Sequence, residues 1–292
     1  MSKGLFDTFT GEEAALMEAI IAESKDVAWA APILAKIEEG GGLTGVNMPW
    51  FFELRFGYAL RRAGIDPKHE IPGEGDSTLD FGFEHGGKAW NVELLRLEET
   101  DAVKAATTIC VDADGTEWTT RILRTGQDEQ KQSSEGETLK AVERICQKLE
   151  NGGKPHKFPP ADKAINVLLV DFRNFATRGG DKADRVHVAL GGDCLPEPFR
   201  MYWEYNGKRT LVTGAFNPRT KSKGADNVRE RLHLLGFVNE REFKPESFGG
   251  SIQFFINPNL VKTEDEARPI ADAWPLKGSE FLNLKPKEDL SK

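Results

Sequence analysis

The chain has 292 residues, 39% of them hydrophobic and 29% charged, with 18 Phe and 6 Trp, a composition that supports a sizeable core and excludes wholesale disorder. No stretch approaches the roughly 18 consecutive apolar residues of a membrane span, and the N-terminus MSKGLFDTFTGEEAA has no basic patch followed by an apolar run, so a cytoplasmic, non-membrane protein is expected. Three widely spaced cysteines, Cys110, Cys146 and Cys194, outside any CxxC, argue against a zinc cage and read as small core residues. The net charge of −8 disfavours a uniformly basic nucleic-acid binder. Charge is unevenly spread, however: between Arg200 and Arg231 stand Arg200, Lys208, Arg209, Arg219, Lys221, Lys223, Arg229 and Arg231 against Glu204, Asp226 and Glu230.

In chain order, apolar spacing predicts helices over 11–24 and 28–39, closed by the glycines 40–42. A third helix runs to Gly64, with Asn47 as its cap and Pro49 in its first turn. An extended piece at 69–71 and the loop PGEGDS lead to strands 78–85 and 88–95. Helix 99–106 and a hairpin joining 107–112 to 116–123 through Asp114-Gly115 follow. The polar stretch RTGQDEQKQSSEGE reads as a loop, 135–149 as a helix, and KAINVLLVDFRNF as a central strand buried on both faces, reached by a right-handed crossover. GGDKADR and ALGGD read as loops, 202–213 as a hairpin about Asn206-Gly207, 224–235 as a helix and 251–257 as a strand. The charged, Pro-interrupted tail packs as an arm or stays loosely ordered.

The stretch STLDFGFEHGGKAWNVELLRL is the most informative. Gly86-Gly87 suits a two-residue turn, so opposed residues sum to 173 and Asp80 faces Glu93. That register puts Leu79, Phe81, Phe83, Trp90, Val92 and Leu94 on one apolar face. Like charges directly opposed in a sheet repel, so a bridging divalent cation, a nearby Lys or Arg, or solvent must compensate. Glu53 lies on a helix apolar nearly all round, with Pro49, Trp50, Phe56 and Gly57 at its i±3 and i±4 positions, and needs a distant partner or a role.

A helix bearing Glu, a hairpin bearing Asp and Glu, a helix and a buried strand together resemble the PD-(D/E)XK, or restriction-endonuclease-like, superfamily. The resemblance covers roughly residues 47–172. It implies an α/β fold with a mixed central sheet flanked by helices, carrying an inserted hairpin and a C-terminal extension. The chain would divide into an N-terminal helical segment 1–46, the core 47–260 and a tail 261–292. The resemblance also implies Mg²⁺ or Mn²⁺ bound by Asp80 and Glu93, assisted by Glu53, and Mg²⁺-dependent hydrolysis of phosphodiester bonds in DNA. The family's lysine position is Leu95 here, a departure that leaves two expectations. Either a donor from Gln132, Lys140 or Lys148 fills the gap, or the module is catalytically inactive and binds nucleic acid or a protein partner. DNA would meet the basic segment 200–231, where Phe199, Tyr202, Trp203 and Tyr205 can stack bases or form an ordinary hairpin core, and a homodimer is compatible with the chain. A third expectation, from a different class, is an acidic interaction protein that shares only the fold. The histidines His69, His85, His156, His187 and His233 show no ligand spacing and read as surface or satisfied residues.

Overall fold

The computed structural model describes residues 9–122, 133–150, 156–175, 180–205, 207–238 and 248–284. Helices α1 (Gly11–Ser24), α2 (Ala31–Glu39) and α3 (Met48–Arg62) come first. They are followed by strands β1 (Lys68–Pro72), β2 (Thr78–His85) and β3 (Lys88–Arg96). Next come α4 (Asp101–Ala105), the hairpin β4 (Thr107–Val111) and β5 (Glu117–Arg121), α5 (Ser134–Lys148) and β6 (Ile165–Asp171). Then follow α6 (Lys182–Ala189), the hairpin β7 (Tyr202–Tyr205) and β8 (Lys208–Leu211), α7 (Ala225–Arg231), β9 (Leu234–Val238), β10 (Ile252–Ile256), α8 (Glu264–Asp272) and β11 (Glu280–Phe281).

Seven strands form one mixed sheet in the order β1-β2-β3-β6-β9-β10-β11. The hairpin pairs β1/β2 and β2/β3 are antiparallel, β3/β6 and β6/β9 parallel, β9/β10 antiparallel and β10/β11 parallel. The expected α/β class and mixed sheet flanked by helices are present. Alternation along the central strand shows the layering directly. Val167 and Leu169 of β6 enter a core shared with α1, α2, α3 and α8, whereas Leu168 and Val170 enter a second core beneath α5, α6 and α7. Among the described residues, no helix is long and apolar enough to cross a membrane.

Several elements differ from expectation for identifiable reasons. Asn47 does not cap α3 with its side chain; the buried amide donates instead to the carbonyls of Ile37 and Gly42 and ties α2 to α3. The segment read as the loop GGDKADR starts α6, whose first turn is closed by a capping box between Asp181 and Asp184. The helix expected over 224–235 stops at Arg231, and Leu234–Val238 is a central strand buried at every position. The tail packs as far as it is described, to residue 284: Thr263 and Glu266 form a second capping box at the start of α8, and Ala267, Ile270, Trp274 and Leu276 join the first core. Cys146 is buried as expected, while Cys110 and Cys194 are exposed.

Candidate functional site

The β2–β3 turn has both glycines at positive φ, 60° at Gly86 and 71° at Gly87, and the pairs run from His85 opposite Lys88 to Phe81 opposite Val92. The next step along this register is Asp80 against Glu93. There the carboxylates take over from the ladder: the Asp80 amide donates to Glu93 Oε2 at 3.3 Å, and the Leu94 amide donates to Asp80 Oδ2 at 2.6 Å. The sheet changes sides at this level. Phe81, Phe83, Trp90, Val92 and Leu94 face the first core as expected, but Leu79 belongs to the second, a correction to the single apolar face. On the neighbouring strand Glu70, flanked by the pairs His69–Phe81 and Ile71–Leu79, has φ +52°, a backbone conformation that costs a non-glycine residue about 1–3 kcal/mol. Glu93 itself stays in register with β6, opposite Leu168.

Glu93 is fully buried, and two ammonium groups reach its Oε1. Lys148, the last residue of α5, is 2.7 Å away. Lys157 makes the second contact, from the segment that leads into β6. The Lys157 backbone is held on both sides: its amide donates to the Leu149 carbonyl at 2.9 Å, and its carbonyl accepts from the Glu74 amide at 2.9 Å and the Ser77 hydroxyl at 3.0 Å. Gly73 makes this clamp feasible, since a Cβ there would lie 2.6 Å from the Lys157 carbonyl oxygen. The loop PGEGDS that precedes Asp80 therefore also fixes the lysine.

Glu53 projects from α3 within the fields of Asp80 and Lys148 and bonds His69 Nε2 at 2.9 Å. Burial pushes the Glu53 carboxyl above its ordinary value; the His69 hydrogen bond pulls it back, and the charge of Asp80 pushes it up again. Burial and then Asp80 push Glu93 up to about 7, against the pull of Lys148 and Lys157. Burial alone would lower Lys148, but the charges of Glu93 and Asp80 overcome it and hold the ammonium above its ordinary value. Glu93 thus meets both lysines, while Glu53 and Asp80 lie within the field of Lys148.

Both lysines meet Glu93 at Oε1, and Glu93 Oε2 and Asp80 Oδ2 accept backbone amides. A hard divalent cation of the Mg²⁺ type takes one or two carboxylates and completes its shell with water and phosphate oxygens. Asp80 and Glu93 would hold it. Among the described residues no group of three or more His, Cys, Asp or Glu side chains is placed to hold a metal ion.

Of the donors expected from sequence, Lys148 reaches Glu93, Lys140 stands 3.7 Å from Glu137, and Gln132 lies outside the described residues. Leu95 packs against the second core. Lys157 and His69 were not expected. Lys157 sits in a proline-flanked stretch with no periodicity, and its approach to Glu93 spans 64 residues of sequence. A cleft of about 830 Å³ lies between the end of β3 and α5, with Leu95, Lys140, Arg144 and Gln147 on its wall; Asp80, Glu93, Lys148 and Lys157 do not line it.

Much of the basic segment is engaged internally. Arg200 donates to the Leu195 carbonyl, Arg209 lies 3.8 Å over the Tyr202 ring, Arg219 bonds Asp193 at 2.6 Å, and Arg229 pairs with Asp226. Lys223 reaches Glu150 at 2.9 Å, two residues past Lys148, which ties the segment to the α5 end of the site. Compared with family models, with curated proteins and with solved structures, the chain gives no match.

Proposed function

We propose that the protein is a metal-dependent phosphodiesterase acting on DNA, built on a restriction-endonuclease-like core. The observation that carries this reading is the buried Glu93 beside Asp80, met by the ammonium groups of both Lys148 and Lys157. The family's lysine position is a leucine, and two lysines arrive from elsewhere to the same carboxylate. Mg²⁺ at Asp80 and Glu93 would supply Lewis acidity at the phosphoryl oxygen and lower the pKa of an attacking water. The residues of the chain do the rest. An ammonium beside Glu93 orients water and offsets the charge that develops on phosphorus-bound oxygens, and the second lysine screens the incoming phosphate. Glu53 accepts a hydrogen bond from the water it orients. The phosphodiester would be presented at the α5 end of the sheet, where Lys223 of the basic segment stands.

The second reading is an inactive module that binds nucleic acid, and one observation favours it: Glu93 Oε1 is already satisfied by two lysines. The experiment assays single- and double-stranded DNA with Mg²⁺ and Mn²⁺, using wild type, Asp80→Ala, Glu93→Ala, Lys148→Ala, Lys157→Ala and Lys140→Ala. Loss of Asp80 or Glu93 should reduce cleavage on the order of 10²-fold or more. Lys157→Ala and Lys148→Ala should slow it while Mn²⁺ still binds, and Lys140→Ala should stay near wild type. Wild-type protein that binds DNA through the 200–231 segment but cleaves nothing would transfer the conclusion to the second reading.

A further inference from the structure

We propose that His69 is a positioning residue for Glu53, fixing that carboxylate at the Asp80–Glu93 centre through its ring Nε2. The proposal deepens the phosphodiesterase reading and rests on it for its kinetic test. His69 lies on β1 opposite Phe81, its ring set edge-on to the phenyl ring with centroids 5.1 Å apart and its side chain 5% exposed. Nε2 is 2.9 Å from Glu53 Oε2, whereas Nδ1 is enclosed without a hydrogen-bond partner among the described residues. The ring's polar capacity is thus directed at one carboxylate oxygen. A side chain kept here only for packing on Phe81 would be better apolar, because burying an unmatched ring nitrogen is unfavourable.

The backbone supports the same conclusion. Glu70, next in the chain, is the one non-glycine residue with positive φ among the described residues, and it sits at the level where β2 carries Asp80. An observed backbone outlier beside a site is grounds for a functional hypothesis. Glu53 also depends on this partner. Its helix offers Pro49, Trp50, Phe56 and Gly57 on the adjoining turns, none of them able to pair a carboxylate with a positive charge. With Oε2 held by the ring, the carboxyl group remains within the fields of Asp80 and Lys148.

The test compares wild type, His69→Phe, Glu53→Ala and the double variant in DNA cleavage with Mg²⁺, in Mn²⁺ binding by calorimetry and in thermal unfolding. His69→Phe keeps the aromatic packing and removes the bond. It should cleave about tenfold or more slowly, as expected when a reacting group is misplaced, with Mn²⁺ affinity close to wild type and a melting temperature lowered by no more than the loss of one buried hydrogen bond. His69→Gln, whose amide can donate to Glu53, should recover part of the rate. The double variant should be no slower than Glu53→Ala, because the two residues act as one unit. Cleavage by His69→Phe at the wild-type rate, or losses that multiply in the double variant, would overturn the proposal. Should His69→Phe not fold, His69→Asn takes its place in the same comparison. Should wild type cleave nothing, the phosphodiesterase reading falls, and proton NMR of the His69 ring then decides this one. An exchange-protected ring N–H that disappears in Glu53→Ala supports it, and an unchanged resonance overturns it.

Discussion

The β2–β3 hairpin turns through Gly86-Gly87, and the β4–β5 hairpin through the three residues Ala113, Asp114 and Gly115, the last at φ +84°. In both, turn chemistry and strand register agree, with His85 opposite Lys88 in one and Val111 opposite Glu117 in the other. Their surroundings differ completely. β3 has β2 on one edge, β6 on the other and helices over both faces, so Trp90 and Val92 are fully enclosed. β4 and β5 form a two-stranded sheet of their own and leave Ile109, Val111 and Trp118 in solvent. The carboxylates follow suit. Burial raises Glu93, whereas Asp114 in the exposed turn is pulled below its ordinary value by the Thr116 amide. A turn sets which residues face one another; only the next layer decides whether facing residues become a core, a strained charge pair or a solvated ribbon.

The contrast breaks most visibly at the tryptophans. Trp90 is fully buried, stacked on Phe83 at 6.1 Å and met edge-on by Trp274 at 5.3 Å, and its indole N–H donates to the His85 carbonyl at 3.1 Å. Trp90→Ala should therefore cost about 3–5 kcal/mol in chemical denaturation. A loss below about 1 kcal/mol would show that the hairpin is not the covered element described above.

Charge gives the next largest effect. The Glu93 carboxyl is raised in the folded protein from an ordinary 4.5 to about 7, so the native state binds more protons than the unfolded chain between those values. Stability of the metal-free protein should then fall as pH rises through that window, by on the order of 2–3 kcal/mol from this group. Glu93→Gln should flatten that fall relative to wild type, read as denaturation midpoints at pH 5, 6, 7 and 8. Parallel profiles for the two proteins would mean that Lys148 and Lys157 neutralise Glu93 fully.

Legibility in the sequence follows the same division between local and distant causes. The register from His85–Lys88 to Phe81–Val92 was readable because two glycines and an alternating apolar pattern suffice to set it; the ladder ends one step before Asp80 and Glu93. α1, β6 and β10 were readable from periodicity or from a short apolar run. β9 was not, because LHLLGFV continues the helical spacing of α7 and a strand buried on both faces shows no alternation. α6 was hidden by its glycine-flanked, charged start, for which the Asp181 capping box was the available signal. His69 and Lys157 come to the site through strand pairing and a loop clamp, across 16 and 64 residues respectively, and no local pattern marks them. Leu79 crossed to the other core because the strand distorts at Asp80, a departure that alternation alone does not anticipate.

The smallest expected effect is the sharpest control on the comparison. Trp118 is 58% exposed, and its indole N–H donates to Asp112 across the ribbon. Its ring faces solvent with Cys110 opposite, so truncation removes little buried area and leaves no cavity. A hydrogen bond between exposed groups is replaced by water at little net cost. Trp118→Ala should change stability by no more than about 0.5 kcal/mol, an order of magnitude below the same substitution at Trp90, although both residues lie in hairpin strands beside a tight turn. The measurement is a pair of denaturation curves at one pH, with far-UV circular dichroism to confirm that the sheet persists. A loss of about 2 kcal/mol or more at Trp118 would mean that the ribbon is covered in solution, and the distinction between a buried and a solvated hairpin would have to be withdrawn.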